Sequence, residues 1–165
     1  MKRVIVIGSP GAGKSTFSRA LRDKTGLPLH HLDMLWHRAD KTTVSREEFD
    51  QRLIEICKGE RWILDGNFAR TLELRLQYCD TAILLDYPTE LCLASVAARI
   101  GKPREDMPWT ETEFDPEFRA YIEAFGKERL PQMYEVLEKY RDNKNIIVFK
   151  DRASAQAYLD GSDKE

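Results

Sequence analysis

The chain has 165 residues, of which 42% are hydrophobic and 33% are charged, so it can form one compact domain but not two full ones. We therefore predict a single domain over residues 1–165. The 26 basic and 28 acidic residues nearly cancel to a net charge of -2, which argues against direct nucleic-acid binding, because nucleic-acid binders usually present a basic face.

The beginning of the chain and its cysteines bear on where the protein works. The apolar run MKRVIVIG (1–8) is too short for an export signal or a membrane span and ends in a glycine loop. Cys57, Cys79 and Cys92 show no metal-ligand spacing. We expect three buried thiols in a cytoplasmic protein that has no membrane partner.

The predicted strands are continuous apolar runs. Continuous rather than alternating runs are typical of strands that are covered on both faces, as in a parallel sheet. The four clear runs and one weaker run are RVIVI (3–7), LPLHHL (27–32, the weaker one), WIL (62–64), TAILL (81–85) and NIIVF (145–149).

Amphipathic segments with clear beginnings lie between these runs. Ser45 and Glu48 form a capping box, and Asp115 before Pro116 indicates another helix start. Strand and helix alternate, which predicts a three-layer α/β fold with ligands at the carboxyl ends of the strands. The stretch 101–114, rich in proline and charged residues, is predicted to be a mobile loop that crosses the strand ends. Residues 160–165 are expected to fray.

A glycine-rich sequence follows the first predicted strand. GSPGAGKST (8–16) satisfies the pattern G-x-x-x-x-G-K-[ST], which predicts a backbone cradle for phosphate at the start of a helix. The lysine supplies a mobile positive charge and the serine a hydroxyl ligand for Mg²⁺. The residues predicted to bind the nucleotide here are Gly8, Gly11, Ala12, Gly13, Lys14, Ser15 and Thr16.

Asp65 ends the buried run WILD. On a strand beside the first one, its carboxylate would lie near the Mg²⁺ on Ser15 and hold the ion through a coordinated water. Alternatively, Asp65 is a turn aspartate before Gly66, which accepts backbone hydrogen bonds. We predict the metal role and retain the turn as the alternative.

The segment GERWILDGNFAR (59–70) resembles the adenylate kinase segment in which a strand ends in Asp-Gly and is followed by an arginine for the acceptor phosphate. The whole chain resembles small bacterial P-loop proteins known as DNA topology modulation proteins, which are related to adenylate kinases. The segments HHLDMLW, WILDGN, LLDYP, GKPREDMP and RLPQMY recur there in similar form and order.

The resemblance implies a P-loop kinase fold with a five-stranded parallel sheet in the order 2-3-1-4-5 and helices on both faces, as in nucleoside monophosphate and shikimate kinases. It also implies ATP and Mg²⁺ as ligands. Asn67 and Ala69 depart from the aromatic residue and the proline of adenylate kinases. Arg70 is retained, and it is expected either to hold an anionic acceptor or to be a solvated surface residue.

By the same similarity, the acceptor binds over about residues 33–60. Asp33 corresponds to an aspartate that holds a substrate hydroxyl in shikimate-kinase-like enzymes, so it could orient an alcohol and accept its proton. The alternative is a helix cap or turn residue. Trp36 is expected to pack in the core rather than to stack on a ligand, and His30 and His31 are assigned no role.

Three arginines complete the predicted site. The resemblance places Arg104 in a short lid (about 101–114) and Arg129 on the helix after it, both directed at the phosphates. Arg99 resembles the arginine that adenylate kinases lay against adenine. The alternative for each is an ordinary surface residue; of the three, Arg104 and Arg129 are preferred as site residues and Arg99 is placed last.

The sequence thus predicts an ATP-dependent, Mg²⁺-assisted kinase that phosphorylates a hydroxyl or phosphate on a small molecule. The alternative is a regulatory ATP-binding protein with weak ATPase activity. A regulator needs the phosphate loop and Asp65, but it has no reason to gather Asp33, Arg70, Arg104 and Arg129 in one cleft. Direct DNA binding has the least support, because the basic residues form no cluster.

Overall fold

The computed structural model describes residues 1–161, in which strands and helices alternate along the chain. The elements are β1 (Arg3–Gly8), α1 (Lys14–Thr25), β2 (Leu29–His31), α2 (Leu32–Trp36), α3 (Arg46–Cys57), β3 (Trp62–Asp65), α4 (Ala69–Tyr78), β4 (Thr81–Leu85), α5 (Thr89–Arg99), α6 (Pro116–Glu128), α7 (Leu130–Glu138), β5 (Asn145–Phe149) and α8 (Arg152–Gly161).

The five strands form one parallel sheet in the order β2-β3-β1-β4-β5, which confirms the predicted topology. Strand β1 lies at the centre, between β3 and β4. Val6 is in register with Asp65, so the last residue of β3 lies beside the end of β1, where the glycine loop begins. This edge of the sheet therefore brings the glycine loop and the carboxylate together.

Helices cover both faces of the sheet, because alternate residues of each strand point to opposite sides. One face packs against α3, α4 and α7, through residues that include Ile5, Ile7, Phe49, Leu53, Leu72, Leu76, Met133 and Leu137. The other face packs against α1, α5 and α8, through residues that include Val4, Val6, Leu21, Val96 and Leu159. The three cysteines are free and buried, as predicted.

The predicted helix starts are confirmed by their hydrogen bonds. The Glu48 backbone N–H donates to Ser45 Oγ at 3.1 Å, and the Glu117 N–H donates to Asp115 Oδ1 at 3.1 Å. Helix α2 was not predicted. It begins directly after β2, so Asp33 lies in the first turn of a five-residue helix rather than at the end of the strand.

The segment between α5 and α6 contains neither helix nor strand among the described residues. The backbone of Gly101 donates to the Glu111 carbonyl at 2.7 Å, which closes the predicted lid into a loop. Most of the segment predicted to fray, residues 162–165, lies outside the described residues. Within residues 1–161, no helix combines the length and the apolar character that a bilayer span requires.

Candidate active site at the carboxyl edge of the sheet

The glycine loop after β1 has a backbone that side chains would disturb. Gly11 has φ of +81°, and a Cβ there would lie 2.2 Å from the Cys92 carbonyl oxygen of α5. Gly13 precedes α1 in the left-handed conformation, with φ of +94°. Both positions therefore require glycine, and the loop places the N-terminus of α1 at the cavity edge, where its dipole favours anions.

Lys14, the first residue of α1, folds back over this loop. Its Nζ donates to the carbonyls of Gly8 and Ser9, both at 3.1 Å. Burial lowers the pKa of Lys14, an effect opposed by the carboxylates of Asp65 and Asp33. An anion in the loop would favour the charged amine and give it a stronger partner than two neutral carbonyls.

Asp65 is held by a histidine to which the sequence analysis assigned no role. Its Oδ2 accepts from Nδ1 of His31 at 2.8 Å, and the two side chains are only 6% and 10% exposed. His31 and Asp65 are in register on β2 and β3, so adjacent strand ends bring them together. The pair fixes the orientation of the carboxylate.

The donor atoms at this point suit magnesium. Ser15 and Asp65 both line the same cavity, and Mg²⁺ prefers one or two protein oxygens together with water and phosphate oxygens. Ser15 Oγ accepts a hydrogen bond from Arg19 at 3.0 Å, a contact that a metal ion would replace. The described residues contain no group of three His, Cys, Asp or Glu side chains that could hold a metal.

Asn67 joins the loops that follow β1 and β3. Its Nδ2 donates to the Gly8 carbonyl at 2.6 Å, and its Oδ1 accepts from the Gly8 N–H at 3.1 Å. Behind it, the fully buried Arg75 donates to the carbonyls of Gly66, Asn67 and Phe68. The departure at Asn67 from the adenylate kinase pattern thus has a structural role.

One cavity of about 800 Å³ opens over these loops, a volume in the range of small-molecule sites. Most of the predicted site residues line it, namely Gly11, Gly13, Lys14, Ser15, Thr16, Asp33, Asp65, Arg99 and Arg104. Gly8 and Ala12 belong to the same loop without lining the cavity. Further lining residues that sequence reasoning missed are Arg19, Phe68, Ser95 and Arg152, and His37, which was considered for this pocket but assigned no role, lines it as well.

The lid covers the cavity through Pro103, Arg104, Glu105, Asp106 and Met107. Glu111 lies between two of the predicted arginines: its Oε1 is 3.3 Å from Arg99 Nε and 3.1 Å from Arg104 Nη2. These contacts are close in distance but lack hydrogen-bond geometry at Arg99 Nε and Glu111 Oε1. An incoming anion would compete with Glu111 for both guanidinium groups.

Two predicted site residues do not reach the cavity. Arg70, on α4, makes two hydrogen bonds to Asp50 of α3, at 2.7 and 3.0 Å. Arg129 is exposed at the junction of α6 and α7, where its guanidinium lies 5.7 Å from the centre of the Tyr121 ring. The predicted convergence of four charged side chains is therefore seen for Asp33 and Arg104, but not for Arg70 and Arg129.

Comparisons with known proteins agree with this geometry. A shikimate kinase from Acinetobacter baumannii, solved in complex with shikimate, superposes with a TM-score of 0.65 at 18% identity, covering 97% of this chain and 89% of that one. A shikimate kinase from Bacteroides thetaiotaomicron gives 0.58 at 17% identity, covering 96% and 94%. The fold is the shikimate-kinase-like P-loop fold.

Sequence similarity points the same way. A protein of Methanocaldococcus jannaschii with the name "Putative adenylate kinase" is 24% identical, over 88% of this chain and 81% of its own length. No protein-family profile matches the chain. The narrower resemblance to DNA topology modulation proteins gains no support from these comparisons.

Proposed function

We propose that this protein is a small-molecule kinase that transfers the γ-phosphoryl group of ATP, with Mg²⁺, to an acceptor bound beside Asp33. The observation that carries the proposal is one cavity in which the glycine loop and Lys14 face two carboxylates, Asp33 and Asp65, under a lid that contributes Arg104. A nucleotide-binding loop alone would not need the second carboxylate or the lid.

Each residue has a role that follows from its place. The loop amides and Lys14 hold the β- and γ-phosphates, and Ser15 and Asp65 hold the metal. A metal ion held there would supply positive charge to the phosphate oxygens. Arg104 faces the same oxygens from the lid, and Arg99, at the end of α5, lies against the base. Arg129 reaches the phosphates only if α6 and α7 shift, so we assign it the weakest role.

A second candidate is a regulatory ATP-binding protein with slow hydrolysis. The positions of Arg70 and Arg129 outside the cavity favour it, since a regulator needs no complete ring of charges. Stimulation of ATP consumption by an acceptor separates the two functions. A panel of nucleosides, nucleoside monophosphates, sugars and sugar acids would reveal a kinase by a phosphorylated product, and a regulator by ATP loss that no acceptor changes.

The direct test of the phosphate loop is Lys14→Ala. We expect phosphoryl transfer to fall by about 10²- to 10³-fold or more, because a positioned donor to the migrating group is lost, with unchanged circular dichroism and thermal midpoint. Lys127→Ala, at an exposed lysine of α6, is the matched control and should retain full activity. Turnover retained in Lys14→Ala would contradict the assignment of the loop.

A further inference from the structure

The charged side chains that line the cavity come from two different parts of the chain. The cationic side chains belong to the loop, α1, α5, the lid and α8. They are Lys14, Arg19, Arg99, Arg104 and Arg152. Lys14, Arg99 and Arg104 have nucleotide roles in the proposed function, and Arg19 lies on the same helix as Lys14.

The stretch from the start of α2 to the start of α4 forms the wall of the cavity around Asp33. It contributes the side chains of Asp33, His37, Asp65, Asn67 and Phe68. Among the described residues, no lysine or arginine from this stretch lines the cavity. This wall offers carboxylates, an imidazole, an amide and an aromatic ring, but no fixed positive charge for an acceptor.

Three basic residues in or next to that stretch have partners outside the cavity. Arg70 is bound bidentately by Asp50. Arg52 donates to Glu48 at 2.9 Å, and Lys41 lies 5.4 Å from the centre of the Trp109 ring. The pair with Asp50 is the decisive one, because Arg70 is the residue that the resemblance assigns to an acceptor phosphate.

Negative charge also accumulates near Asp33. Burial raises the pKa of Asp33, an effect that Lys14 and His37 oppose. Asp106 of the lid and Asp65 raise this pKa further. The cations near these carboxylates are Lys14, Arg99 and Arg104, and the proposed function uses all three for the nucleotide. An acceptor with a phosphate or carboxylate group would have to compete with ATP for them, and like charges at short range are unfavourable.

We propose that the acceptor is an uncharged alcohol, such as a nucleoside or a sugar, and that Asp50 withholds Arg70 from the site and so excludes acceptors that carry phosphate. The inference rests on the proposed kinase function and narrows its acceptor. The hydroxyl oxygen of the acceptor bonds to the γ-phosphorus, and the bond from that phosphorus to the bridging oxygen breaks. ADP departs with the electron pair, and the hydroxyl proton passes to the Asp33 carboxylate.

Matched pairs test the acceptor class directly. Adenosine and AMP, uridine and UMP, and glucose and glucose 6-phosphate are each incubated with Mg²⁺-ATP, and phosphorylated products are identified by mass spectrometry. We expect transfer to the uncharged member of at least one pair, with kcat/KM at least about tenfold above that of its phosphorylated partner, equivalent to about 1.4 kcal/mol. An equal or higher kcat/KM for a phosphorylated member overturns the proposal.

A binding experiment decides the matter even if the true alcohol is not among the probes. AMP is titrated by calorimetry into protein whose nucleotide site is saturated with Mg²⁺ and a non-hydrolysable ATP analogue. We expect no AMP binding to the wild type, a clear gain in Asp50→Asn, which releases Arg70, and loss of that gain in Asp50→Asn with Arg70→Ala. AMP binding to the wild type that Arg70→Ala removes, or no gain in Asp50→Asn, overturns the proposal.

These outcomes are distinct from a failure of the proposed function itself. If the wild type binds no purine triphosphate in the saturation step, the kinase assignment fails first, and the acceptor inference fails with it. If the triphosphate binds and AMP also binds through Arg70, the kinase assignment stands and only the acceptor class is overturned.

Discussion

Arg75→Met removes a cation that organises the loop after β3. The side chain is fully buried, and burial lowers the pKa of Arg75 to about 10, so it remains protonated at neutral pH. Its guanidinium donates to three consecutive carbonyls, those of Gly66, Asn67 and Phe68. Methionine keeps much of the volume but donates nothing, so the Gly66 and Asn67 carbonyls lose their donor, whereas the Phe68 carbonyl still accepts from the Thr71 N–H at 2.9 Å.

The expected cost follows from these bonds. An orphaned, partly buried acceptor costs about 1–3 kcal/mol, and relief from burying a charge offsets part of the sum, which leaves about 3 kcal/mol. For a chain of this size that corresponds to a fall in Tm of roughly 6–12 °C. Urea and thermal unfolding measure both quantities. Arg141→Met is the control: its side chain is 71% exposed, and its free energy of unfolding should change by less than about 0.5 kcal/mol.

A loss of less than about 1 kcal/mol in Arg75→Met would refute this reasoning. It would show that the loop carbonyls find other donors and that the buried guanidinium does not hold the loop. ATP binding by the folded variant shows whether the substitution also affects the loop and not only the global stability. Because Asn67 is bonded to Gly8, we expect the folded variant to bind ATP more weakly than the wild type, whereas Arg141→Met should bind it equally well.

Three further predictions concern single side chains. Gly11→Ala should lower the Tm and abolish ATP binding, since its Cβ would overlap the Cys92 carbonyl; normal ATP binding would show that the loop adapts. His31→Leu should weaken Mg²⁺-dependent ATP binding about tenfold or more without changing metal-free ATP binding. His31→Asn should bind ATP like the wild type, because its amide can replace Nδ1–H in the bond to Asp65. Equal defects in the two variants would exclude an orienting role for His31. Burial raises the pKa of Cys57 to about 11, so only about one thiol in a thousand is ionised at pH 8. Labelling of Cys57 by iodoacetamide should therefore require unfolding of the protein. Rapid labelling of the native protein would contradict the burial of this thiol.

The fold could be predicted because its signals are local. The apolar runs that become β1, β3, β4 and β5 are continuous since these strands are covered on both faces, and the glycine loop has a fixed spacing that follows from phosphate geometry. The capping residues Ser45 and Asp115 marked helix starts because their side chains bond to backbone N–H groups only two or three residues away. Strand β2 was harder to predict, because it has only three residues, all of which pair with β3.

The site was predicted less completely because it depends on contacts between distant parts of the chain. The pairing of His31 with Asp65 joins residues on different strands and could be found only from their register. Arg152 reaches the cavity from the last helix, where it donates to Ser95 Oγ at 2.8 Å. Its one sequence signal was its position just after β5. The Arg70 partner, Asp50, lies 20 residues earlier in the chain, on α3, and no motif indicated it.

The amide bridge between Asn67 and Gly8 has a consequence for how this scaffold can diversify. These two bonds tie the loop after β1 to the loop after β3, so a substitution that moves one loop is expected to move the other. Changes in what the protein accepts must then arise in the peripheral segments, α2, α3 and the 101–114 lid, which surround the two loops without being bonded to them in this way. The two bonded loops are therefore expected to stay constant while the surrounding segments vary.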